Sequence, residues 1–201
     1  MNSFSHIMVA SFLHRYIREH HGIELCPGNF TYGNLLPDFR PAYKKVPHER
    51  EYWARYLKNE ITRLSDFKQE SPCFGVNYSR RLGILCHFYA DFFCFAHTPD
   101  FEGGSYAHVR YELALHRHIR DIMPALDGVD FGGSTDKRDA GAIQGGFTAL
   151  QELYLKREPS FDNDIAFTLR ACVEAVTAIA GNSVVMKKPS VGQLITEPAK
   201  G

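Results

Sequence analysis

The 201-residue sequence is poor in several features, and each shortage excludes a class of protein. Its five cysteines, at 26, 73, 86, 94 and 172, are odd in number and include no CxxC. That argues against a disulfide framework and for reduced thiols in a cytoplasmic setting. No stretch approaches ~18 uninterrupted apolar residues, so no helical membrane span is expected. The opening, MNSFSHIMVASFLHRYIREHHG, has no basic segment ahead of an apolar run and no small-residue cleavage pattern. No secretory leader is expected from it. Neither sign of charge is in excess, with 23 basic and 23 acidic residues. Bulk attraction to nucleic acid or an anionic surface is therefore missing. Alternating strand patterns are nearly absent, as are internal repeats and low-complexity tracts.

What remains is helical periodicity. Apolar residues at 4, 7, 8, 10, 12, 13 and 17 predict a helix over 3–20. Residues 22–47 contain Gly22, Pro27, Gly28, Gly33, Pro37, Pro41 and Pro47, and read as a long irregular connection, a kind that is often functional. Further helices are expected over 49–67, 77–96, 105–123, 142–157 and 161–181, with Thr98-Pro99, Pro124 and Pro159 as breaks. Residues 127–141 read as a surface loop, and Gly181-Asn182 as a helix stop. The length suits one domain with a sizeable core. The expected fold is all-α: a single-domain bundle of five to seven helices over 1–181 with a metal site between helices, followed by a polar tail over 182–201.

The residue in surplus is histidine. Ten in 201 is about twice an ordinary share. Residues 87–97, HFYADFFCFAH, set His87, Asp91 and His97 among large apolar side chains. His87 and Asp91 are four apart, on one helical face. A carboxylate between Ala90 and two phenylalanines is expensive to bury unpaired, so it needs solvent or a cation. His97, six residues beyond Asp91, points away on a continuing helix and would open a neighbouring site. His108 and Glu112 form a second pair at the same four-residue spacing. With His97 they make a His₂Glu set, a type suited to catalytic zinc. His116 continues that stripe as a weaker candidate. Asp38, His48 and His6 are candidate ligands to complete the first site. Cys86 and Cys94 read as inert packing, and His20 and His21 as a solvated helix end.

The combination H-x3-D-x5-H followed by H-x3-E, here His87, Asp91, His97, His108 and Glu112, resembles the bacterial zinc-dependent phospholipase C family. SHIMVA places His6 in a matching early context, and NLLPDF with VPHER place Asp38 and His48. The resemblance runs in order over residues 5–112 and implies an all-α fold with zinc between the helices. It implies that Asp38, His48, His87 and Asp91 hold one zinc, and that His97, His108 and Glu112 hold a second. A third would be held by His6, by Asp91 as a bridge, and by the amino group and carbonyl of an N-terminal tryptophan, which this sequence lacks. Two zinc ions are thus expected, with a third possible.

The implied reaction is metal-assisted hydrolysis of a phosphodiester, on a phospholipid or small-molecule substrate, with Asp38 as general base or water-orienting carboxylate. Activity should fall in acid, because histidine must be neutral to bind metal. Two alternatives are a metallohydrolase of other phosphoesters, such as nucleotides or single-stranded nucleic acid, and a non-catalytic metal-binding helical protein. Charge balance weighs against nucleic acid. The sequence leaves oligomeric state open.

Overall fold

The computed structural model describes residues 1–185, which form eight α-helices with very little strand. Helix α1 (Ser3–His21) starts where the Asn2 side chain accepts from the Ser5 backbone N–H, an N-cap that satisfies an otherwise orphaned donor. It stops at Gly22, which takes the left-handed conformation (φ 64°) that a glycine adopts at no steric cost. Strand β1 (Glu24–Leu25) then pairs in parallel with β2 (Cys73–Phe74), Leu25 opposite Phe74. The pair is two residues long, and it ties the start of α2 to the start of α5.

Residues 22–47 are not the irregular connection expected. They contain α2 (Pro27–Phe39) and the short α3 (Pro41–Lys44). Pro27 and Pro41 sit in the first turns of these helices, where a missing N–H costs nothing. Gly33 lies at the crossing with α5 (Val76–Phe92). A β-carbon on Gly33 would overlap the Arg80 carbonyl oxygen, and one on Gly83 would overlap the Phe30 carbonyl oxygen. The two glycines therefore let the backbones of α2 and α5 touch. That close approach brings Asp38, at the end of α2, beside His87 on α5.

Helix α4 (Arg50–Asp66) buries Trp53, Leu57, Ile61 and Leu64 at the expected spacing. Helices α6 (Ser105–Ile122), α7 (Ala140–Leu155) and α8 (Phe161–Ser183) complete the bundle. Helix α8 is the central post, buried along most of its length and packed against α1, α4, α5, α6 and α7. Gly181 does not stop it. Thr135 lies against Gly181 so closely that a side chain there would clash with its backbone, and the helix runs on to Ser183. Val184 then bridges Gln69, so the start of the expected 182–201 tail is structured; positions 186–201 lie outside the described residues. The 127–141 loop is not wholly superficial either: Phe131 is buried against Phe12 and Tyr16.

Candidate metal centre

Asp91 is the hub. It is 1% exposed, and its two oxygens face different neighbours. Oδ2 lies 2.8 Å from His48 Nδ1 and 3.1 Å from His87 Nε2. Oδ1 lies 2.6 Å from the Met1 nitrogen, 3.2 Å from His6 Nε2 and 3.8 Å from His97 Nε2. His87 is oriented from behind by its Nδ1, 2.7 Å from the Asn34 carbonyl. A carbonyl only accepts, so Nδ1 carries a proton and Nε2 is the nitrogen turned to the cluster. His48 is held in place through its own connection: Trp53 Nε1 donates to the Pro47 carbonyl, and the Trp53 ring stacks on Phe88.

The helix carrying Asp91 does not run on to residue 96. Helix α5 ends at Phe92, Cys94 is extended, and Phe95–His97 form a 3₁₀ turn. This break turns His97 back toward Asp91, correcting the expectation that it would point away. His97 Nε2 and His108 Nε2 lie 3.0 and 3.1 Å from Glu112 Oε1. The turn is held by Asp164 of α8, which accepts from the Phe95 N–H at 3.1 Å, the Tyr111 hydroxyl at 2.9 Å and the Tyr154 hydroxyl at 2.8 Å. One buried carboxylate thus fixes both the His97 turn and the helix bearing His108 and Glu112.

The donors fall into three sets, each with ligand atoms within 4.8 Å of one another: His6, His87 and Asp91; Asp38, His48 and His87; His97, His108 and Glu112. All eight residues expected from the sequence are brought together. Their electrostatics fit a cation. His6 is fully buried with neither ring nitrogen hydrogen-bonded. Burial, then the neighbouring His87, lowers its pKa to about 4, which leaves a neutral imidazole with one ring nitrogen's lone pair for a ligand. An unmade buried hydrogen bond costs about 1–3 kcal/mol, and a metal ion would remove that cost. Burial by itself would raise the Asp91 carboxyl. The Met1 ammonium, followed by His87, His97 and His6, outweighs it and holds the group well below the carboxylate range. Glu112 is likewise lowered against its burial, by hydrogen bonds from His108 and His97.

The chain's own cation occupies this place. The Met1 nitrogen also lies 2.7 Å from His97 Nε2 and 2.8 Å from Glu112 Oε1. Burial opposes its charge, but Asp91 and then Cys94 and Glu112 prevail, so its pKa is pushed up to about 12. A buried ammonium among two carboxylates and an imidazole marks the position as one built for positive charge. The donor set of imidazoles and carboxylates is the kind zinc takes.

A cavity of about 490 Å³ opens over the cluster, lined by Asp38, His48, His97 and His108 with Lys44 and Phe101. Ser3 Oγ donates to Asp38 Oδ2 at 2.8 Å, leaving Oδ1 free to face the cluster. Comparison with protein families gives a match to a model described as zinc-dependent phospholipase C over residues 5–161. The chain belongs to that family. A zinc-dependent phospholipase C is a phosphoric diester hydrolase, and the family implies a phospholipid substrate. Comparisons with curated proteins and with solved structures give no match. For this member of the phospholipase C family, reading the sequence missed the Met1 nitrogen, Ser3, Lys44 and Asp164. The first two sit within five residues of His6, a proximity that could have been noticed; Lys44 and Asp164 carry no local pattern. Among the described residues no helix is long and apolar enough to cross a membrane.

Proposed function

We propose that this chain hydrolyses a phospholipid on the glycerol side of its phosphate, using two zinc ions and a third where the Met1 nitrogen serves as a donor. His48, His87 and Asp38 hold one ion, and His97, His108 and Glu112 hold another. His6 and the Met1 nitrogen complete the third set, with Asp91 shared between neighbouring sets. Zinc supplies Lewis acidity there and lowers the pKa of a water toward neutrality. Asp38, at the cavity edge and held by Ser3, orients the attacking water and accepts its proton. The products are diacylglycerol and a phosphate bearing the head group. Asp91 carries this reading, because its two oxygens face separate histidine groups beneath a single cavity.

The test is elemental analysis of the purified protein combined with a panel of a choline phospholipid analogue, an aryl phosphodiester and a nucleotide. At least two zinc ions per chain and turnover of the phospholipid analogue are expected. A metal-free chain with full activity would overturn the reading. Turnover of the nucleotide alone would move the substrate to other phosphoesters.

A further inference from the structure

Helix α6 has two apolar stripes, and the core uses only one. Leu115 and Ile119 are buried. On the other side Tyr106, Val109 and Leu113 recur at three- and four-residue spacing and are 77%, 52% and 45% exposed. Arg110 and Arg117 share that face, and Arg110 lies over the Tyr106 ring. Among the described residues neither arginine has a carboxylate within ion-pair distance, whereas Arg120 at the far end donates to Asp121.

The stripe continues onto neighbouring elements. The first turn of α1 is fixed against α6 by the Asn2 side chain, which donates to the Glu112 carbonyl, and by the Phe4 ring, 6.0 Å from His116. Phe4 is 68% exposed. The same turn reaches the end of α2 through Ser3 and Asp38, and the residue after Asp38, Phe39, is 67% exposed. Phe39 follows Asp38, and Tyr106 lies between Gly103 and His108; Asp38, Gly103 and His108 are residues of the cavity wall. Exposed aromatic and aliphatic residues interleaved with arginine form the pattern of a face that enters the headgroup region of a lipid layer.

We propose that this face, Phe4, Phe39, Tyr106, Val109 and Leu113 with Arg110 and Arg117, seats the protein on a phospholipid bilayer containing anionic lipid. The inference rests on the phospholipid reading of the cavity, because a bilayer is where that substrate is presented. The apolar side chains enter between the headgroups, and the arginines meet lipid phosphates. The balanced net charge makes the attraction local to this face.

The test is co-sedimentation of the zinc-loaded protein with phosphatidylcholine vesicles, with and without about 30% phosphatidylglycerol, in brief cold incubations. The parent is compared with Tyr106→Ser/Leu113→Ser and with Arg110→Gln/Arg117→Gln. Turnover of a monomeric short-chain phosphodiester is measured alongside. The parent should sediment more with the anionic vesicles. The serine variant should partition about tenfold less or lower, since burying one such side chain is worth at least that factor. The glutamine variant should lose the preference for anionic lipid. Both should turn over the monomeric substrate within about twofold of the parent, because the stripe lies outside the catalytic set. A parent that stays in the supernatant, or a serine variant that sediments equally, overturns the proposal. So does gel filtration showing a dimer that the serine variant dissolves, because a second copy would then cover this face. Sedimentation without turnover of any phosphodiester supports the docking face while overturning the proposed hydrolysis. Turnover of the monomeric substrate without sedimentation does the reverse.

Discussion

At the scale of single residues, the site turns on one buried carboxylate ringed by imidazoles and an ammonium. Asp91 gathers His6, His48, His87, His97 and the Met1 nitrogen around two oxygens. Asparagine would keep the volume and discard the charge, leaving a buried ammonium and at least two donor sets without their shared anion. The expected outcome for Asp91→Asn is the loss of at least one zinc per chain and a fall in turnover of about 100-fold, at or beyond the upper end for disturbing groups around a metal. His20→Ala is the control. Its ring lies at the other end of α1, stacked on Tyr16, and its loss should change neither zinc content nor turnover. An asparagine variant that keeps its full zinc would remove Asp91 from the ligand set. This is also the scale at which the sequence was most legible. Metal-capable side chains at i, i+4 within apolar surroundings are conspicuous because burying them without a partner is expensive. Asp164 had no such signal: it sits in the first turn of α8, where an acidic residue has an ordinary reason to be, near the helix N-terminus.

At the scale of elements, the sequence misled where glycine and proline do more than punctuate. Residues 22–47 read as irregular because each Gly and Pro counts against a helix, yet α2 and α3 occupy most of that stretch. Gly33 and Gly83 are small so that two helices can touch, and a tertiary contact leaves no periodicity to read. The same limit applied to His97. Its spacing from Asp91 is informative only where the helix is known to continue, and the structure ends α5 five residues earlier. The glycine contact makes its own prediction. In Gly83→Ala the new methyl overlaps the Phe30 carbonyl oxygen, so α2 must back away from α5. Stability should drop by about 1–3 kcal/mol, the usual cost of overpacking, as measured by urea denaturation. Zinc affinity should fall at the Asp38–His48–His87 set, which spans the two helices, and be spared at His97–His108–Glu112, which does not involve α2. A competition titration separates the two sites, and equal weakening at both would mean that the helix crossing does not position Asp38.

At the scale of the whole molecule, the metal-free chain balances buried groups whose titrations oppose each other. His6 titrates near 6.5 when exposed but at about 4 in the fold, because burial, then His87, disfavours its charge. Between those values the unfolded chain binds a proton that the folded chain refuses. The His6 contribution is therefore present above about pH 6.5 and lost as pH falls toward about 4. His97, also lowered chiefly by burial, acts in the same direction. Asp164 acts in the opposite one. Burial raises it from 3.8 to about 6, against the hydrogen bonds from Tyr154, Phe95 and Tyr111. In that window the folded chain holds the extra proton, so the Asp164 contribution is present below about pH 3.8 and lost as pH rises through about 6. In the chelated parent the falling slope of Asp164 offsets part of the rising one between about pH 4 and pH 6. Asp164→Asn removes the falling slope and leaves the rising one. The urea midpoint of the chelated variant should therefore climb more steeply with pH across that window than the parent's. Parallel curves would mean that Asp164 titrates alike in both states and that its three donors offset its burial. Saturating zinc should raise both curves near neutral pH and lose its effect in acid, because the imidazoles that bind the metal must be neutral to do so.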